Sequence, residues 1–90
     1  MTSDENITGY VGEADLFEYL KNNAVHSLRV HETDGGKFQI FARVNWKGGE
    51  LQLITTRRKP REWASLDRLA KHFKKAGVVN KLNWVIIFSG

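Results

Sequence analysis

Cysteine is absent from this 90-residue chain, which excludes a disulfide framework and any thiolate metal site. The same absence suits a reducing cytoplasm. No run approaches the roughly 18 apolar residues of a membrane helix. The opening segment MTSDENITGYVGEAD is acidic and lacks an apolar stretch, unlike a secretory signal. The expectation is a soluble cytoplasmic protein with no membrane association. HExxH motifs and Cys/His clusters are missing too. Of the three histidines, His26 and His31 stand five apart on one expected strand and point to opposite faces, a poor geometry for one metal ion. The glycine pairs at 35–36 and 48–49 lead into strands, not helices, so they are turns and not phosphate loops. Glu13, Asp15 and Glu18 make an acidic helix face with no paired histidine, and Ser65 reads as a helix cap. No cofactor, metal or catalytic set is expected, and the chain reads as non-enzymatic.

Basic residues are missing from the first twenty positions, which hold five acids and carry −5. Residues 21–56 carry +2, and residues 57–81, with nine bases and two acids, carry +7. Residues 82–90 have no charged side chain, and the whole chain has a net charge of +4. Charge divided in this way bears on partners and not on fold. Ninety residues make a single domain with a thin core. Ten large aromatic side chains supply much of that core.

Patterning then sets the order of elements. Residues 1–11 read as loose chain. EADLFEYLKNN, from Glu13, reads as a short helix with Leu16, Phe17 and Leu20 on one face and Asn22 and Asn23 at its end. Period-two alternation follows, with Leu28 and Val30, then Phe38, Ile40, Ala42, Val44 and Trp46, then Leu51 and Leu53, separated by TDGG and KGG turns. That pattern predicts three antiparallel strands over 26–33, 37–46 and 50–57. Pro60 cannot run through a central strand, so KPR turns the chain, and REWA returns as a short fourth strand. Ser65 caps a helix that Gly77 ends, with Leu66, Leu69, Ala70 and Phe73 as its buried stripe. The final run has Leu82, Trp84, Ile86 and Phe88 on one face and Val85 and Ile87 on the other. It reads as a strand interior to the sheet or at an oligomer contact. The result is an α+β fold in the order α-β-β-β-(β)-α-β, with two helices on one face of a mainly antiparallel sheet of four or five strands. There is no repeat, linker or low-complexity run.

The stretch TTRRKPREWASLDRLAKHFKK, residues 55–75, carries the functional signal. Arg57, Arg58, Lys59 and Arg61 fall at a hairpin tip. Arg68, Lys71, His72 and Lys75 follow at i, i+3, i+4 and i+7 on the polar helix face. Arginine grips phosphate through paired N–H bonds and lysine adds point charge, so these seven Lys and Arg residues are candidate nucleic-acid contacts. The bland alternative is a solvated polar face. Trp63 is either a stacking surface for a base or an anchor for the helix. Phe41 breaks the alternation and, with Arg29, Arg43 and Ile54, projects from the opposite sheet face. Such a face holds single strands or forms an interface. A second function class stays open beside nucleic-acid binding: a protein-interaction module, regulating or inhibiting another factor, and homodimeric through head-to-tail contact of the −5 and +7 segments.

Residues 51–77, LQLITTRRKPREWASLDRLAKHFKKAG, resemble a family of small conjugative-plasmid proteins described as ParC-like and partition-associated. The family pattern is a strand, a basic turn, a short strand, then SLD opening a helix that ends at glycine. Leu53, Thr55, Arg57, Arg61, Trp63, Ser65, Leu66, Asp67, Ala70, Phe73 and Gly77 match it. Family members tend to carry glycine in the turn, where this chain has Arg58, Lys59 and Pro60. The resemblance covers about a third of the chain and implies plasmid maintenance or transfer beside DNA or a DNA-bound partner. It supplies no catalytic residues.

Overall fold

The computed structural model describes residues 7–75 and, for the backbone, 86–89. Its elements run β1 (Ile7–Gly12), α1 (Glu13–Lys21), β2 (Val25–Glu32), β3 (Phe38–Val44), β4 (Glu50–Ile54), β5 (Glu62–Trp63), α2 (Leu66–Lys75) and β6 (Ile86–Ser89). The fold is α+β, as the patterning predicts. The sheet is ordered β1-β4-β3-β2-β6, with β5 also paired to β3. Pairing among β2, β3, β4 and β5 is antiparallel, whereas β1 joins β4 and β6 joins β2 in parallel.

Two parts of the sequence reading change. Residues 7–11 are not loose: they belong to β1, with Val11 beside Leu53 and buried. The reason is tertiary, because β4 has an open edge that β1 fills. Residues 1–6 lie outside the described residues. The final strand is not interior: β6 takes the sheet's far edge, since β3 is already flanked on both sides and only the outer side of β2 is free. Leu82, Trp84, Val85 and Gly77 lie outside the described residues.

Local chemistry fixes the connections. Asn23 adopts φ 57, and α1 closes with Asn23 N–H donating to Leu20 O and Ala24 N–H to Tyr19 O. This paired closure satisfies two terminal carbonyls, and asparagine tolerates the left-handed turn. Ser65 caps α2 as expected, its hydroxyl accepting from Arg68 N–H at 3.2 Å. The second expected strand ends two residues early. Trp46 leaves the sheet, is 57% exposed, and meets Tyr19 edge-on at 4.8 Å.

Both helices pack on one sheet face. Leu16 and Leu20 of α1 and Leu69 and Phe73 of α2 join Leu28, Val30, Ile40, Ala42, Val44, Leu51, Leu53 and Trp63 in one core. The stripe of α2 is narrower than its sequence implies, for Leu66 and Ala70 are exposed and half-buried His72 takes part instead. On the opposite face Arg29 of β2 reaches over Phe41 of β3, 4.3 Å from the ring centre, to Glu50 of β4. Both contacts of that ion pair are 2.9 Å, and its side chains are only 15% and 9% exposed. A charge stripped of its partner at such depth is costly. Glu50→Gln is therefore expected to lower the unfolding free energy by about 2–4 kcal/mol. The Arg29→Met/Glu50→Leu pair should recover most of that loss, both read from urea unfolding midpoints.

Candidate nucleic-acid interface

The strand expected over 50–57 stops at Ile54, and β4 and β5 both pair with the same edge of β3. Residues 55–61 are an excursion from that strand line. Ile54 bridges Pro60, and Arg61 N–H donates to Leu53 O at 3.0 Å, so the loop closes at its base. Thr55 organises the interior. Its N–H donates to Lys59 O at 2.7 Å, and its carbonyl accepts from Arg58 N–H at 2.9 Å. Its hydroxyl accepts from Arg57 N–H and Lys59 N–H, each at 3.3 Å. The backbone thus satisfies itself, and Arg57, Arg58 and Lys59 are left exposed at the tip. Arg58 sits at φ 63, a region that costs an L-residue with a side chain about 1–2 kcal/mol.

A stack of side chains ties this loop to both helices. The Arg61 guanidinium carbon lies 4.9 Å from the Trp63 ring centre, and its Nε is buried without a hydrogen-bond partner among the described residues. Trp63, 6% exposed, meets Phe73 at 5.9 Å and His72 at 5.6 Å. His72 Nε2 shares a hydrogen bond with Glu13 Oε1 at the start of α1. Phe17 of α1 closes the cluster edge-on to Phe73 at 5.4 Å.

The seven candidate phosphate contacts divide accordingly. Arg57, Arg58, Lys59, Arg68 and Lys75 are exposed, with no side-chain partner among the described residues. Lys71 is exposed and paired at 3.5 Å with Asp67, a weak contact at this exposure. Arg61 is occupied by Trp63. Lys74, which the helical row passes over, is exposed as well. Of the three stacking or interface candidates, Arg43 alone is exposed. Phe41 is 3% exposed beneath Arg29 and His31, and Trp63 is in the core. A ring buried within the chain offers no stacking surface, so that reading of Phe41 and Trp63 gives way to packing.

Sequence reasoning misses a cleft of about 1220 Å³ between the start of α1 and loop 55–61. Tyr10, Glu13, Asp15, Thr56, Arg58 and Arg61 are among its lining residues. It lies at the carboxyl ends of the parallel pair β1 and β4. Acids from the −5 segment thus face arginines of the +7 segment. Reading residues 7–11 as loose chain hides it, because only the β1–β4 pairing brings the two segments together. Among the described residues no three His, Cys, Asp or Glu side chains gather as a metal site, and no helix is long and apolar enough to cross a membrane.

The chain matches no known protein family, no curated protein and no solved structure.

Two outcomes follow from this geometry. Arg58→Gly relieves the left-handed residue and should stabilise the fold by about 1 kcal/mol. Trp63→Ala removes the keystone of the aromatic stack and should cost about 3–5 kcal/mol. Thermal unfolding followed by near-ultraviolet circular dichroism reads both.

Proposed function

We propose that this chain is a non-enzymatic accessory protein that binds nucleic acid through the exposed cations of loop 55–61 and α2. The observation that carries this reading is the set Arg57, Arg58, Lys59, Arg68 and Lys75, five exposed cations lacking a side-chain partner among the described residues. The two segments bearing them are joined through Arg61, Trp63 and His72, which ties the loop to the helix. Cations held at fixed spacing release the counterions of a polyanion without reading its sequence. The resemblance over residues 51–77 adds a setting, plasmid maintenance or transfer.

The competing idea, head-to-tail association of the acidic and basic segments, has fewer free acids to draw on than the sequence offers. Glu13 is bonded to His72 of its own chain, and Asp15 shares a cleft with Arg58 and Arg61. Part of the acidic segment is already answered within the molecule.

The reading is tested by measuring affinity for a nucleic acid across a salt series. Each phosphate contact contributes about 0.9 to the negative log–log slope for duplex and about 0.7 for a single strand. Reversing Arg57 and Lys59 to Glu, which spares the packed Arg61, should reduce the slope by roughly 1.5 to 2. Reversing Arg68 and Lys75 should do the same. A slope that neither double variant moves removes the proposal.

A further inference from the structure

The cleft between α1 and loop 55–61 narrows the kind of nucleic acid that suits this surface. We infer that it takes one nucleotide of a single strand, with the base on Tyr10 and the phosphate on Arg58. This rests on the nucleic-acid reading and adds a strand preference to it.

Tyr10 is 65% exposed, the most exposed large apolar side chain among the described residues, and it stands in the same cleft as the two arginines. An unburied aromatic ring beside guanidinium groups is the combination by which proteins hold unpaired bases, because every base has a π-face to stack. Phe41 and Trp63 are covered and cannot serve; Tyr10 is not. The N-terminus of α1 borders the cleft, and Gly12 supplies no side-chain cap there.

The acids in the cleft decide between strands. Asp15 is exposed, and Glu13 is bonded to His72. A duplex presents phosphate walls with its base faces stacked inside, so it would bring charge toward Asp15 and offer Tyr10 nothing. A single strand turns its base inward, where a carboxylate accepts hydrogen bonds from exocyclic amines, and leaves its phosphate to the arginine side.

Gly12 gives a clean way to close the cleft. Its φ of −81 and ψ of 163 are open to any residue, and a Cβ built there meets nothing within 4 Å. The experiment measures fluorescence polarisation of a labelled 12-nucleotide single strand and of its duplex. The proteins compared are the parent chain, Gly12→Leu, Tyr10→Ala and Arg57→Glu/Lys59→Glu, each first shown to fold by circular dichroism. The parent should bind the single strand more tightly than the duplex. Tyr10→Ala should weaken single-strand binding about fivefold or more, the lower end of what one base–aromatic stack is worth. Gly12→Leu should weaken it similarly, and both should leave duplex binding within about twofold. Single-strand binding untouched by both cleft variants, with Arg57→Glu/Lys59→Glu still harmful, overturns the cleft inference and leaves the basic-surface reading standing. A parent that prefers duplex has the same effect. A parent that binds neither probe overturns both.

Discussion

Trp63 is the point on which the arrangement turns. It lies on a two-residue strand, and two ladder pairs cannot hold a chain against the entropy of an adjoining loop. What holds it is packing against Phe73, His72 and the Arg61 guanidinium. Because β5 is fixed, the chain leaving β4 must return to β3 after residue 61, and the excursion closes as a compact loop. Because the same ring meets α2, the helix is fixed relative to that loop. One buried indole thus sets the relation between the two cationic segments, and their relation decides whether they act as a surface or as scattered charges.

Legibility in the sequence followed the range of the interactions involved. Alternation from Leu28 to Leu53, the Asn22–Asn23 helix end and the Ser65 cap are local signals, and each element appears there, with the second and third expected strands ending early. Parallel pairings were invisible. ITGYVG carries two glycines and no strong alternation, so nothing within it announces a strand; β4 supplies the edge that makes it one. The apolar run IIFS announces a strand but not its neighbours, and its place at the edge follows from which edges were already taken. Arg57, Arg58 and Lys59 were legible as an exposed basic tip because a turn must project its polar residues. The partners of Arg61 and His72 were not, since spacing on a helix says which side chains share a face and not what that face meets.

The opposite sheet face shows the same limit. Phe41 breaks a polar pattern and so reads as an exposed aromatic. Its burial depends on Arg29 reaching across β3 to Glu50, residues separated by twenty-one positions and two turns. That strap covers the ring with a paired charge instead of an apolar lid. Removing either partner strands a charge, so the face is held shut by the same contact that makes it polar.

The charge division along the chain acquires a different meaning in space. Acids at the start and bases in the later half look like two poles, a design for attracting two partners or a second copy. Parallel pairing of β1 with β4 folds those poles against each other, with Asp15 and Glu13 across a cleft from Arg58 and Arg61. Charges opposed across a cleft partly cancel at a distance, which weakens long-range steering toward any polyanion. At contact distance they do not cancel, because a ligand meets each group separately. A ligand that presents negative charge on one side and hydrogen-bond donors on the other, as the proposed nucleotide does, would meet both. Arg57, Lys59, Arg68 and Lys75 have no ion-pair partner among the described residues, and in the proposed function they supply undirected attraction. On the proposed reading, selectivity and general affinity reside in different side chains, the former where the chain's own acids stand and the latter where they do not.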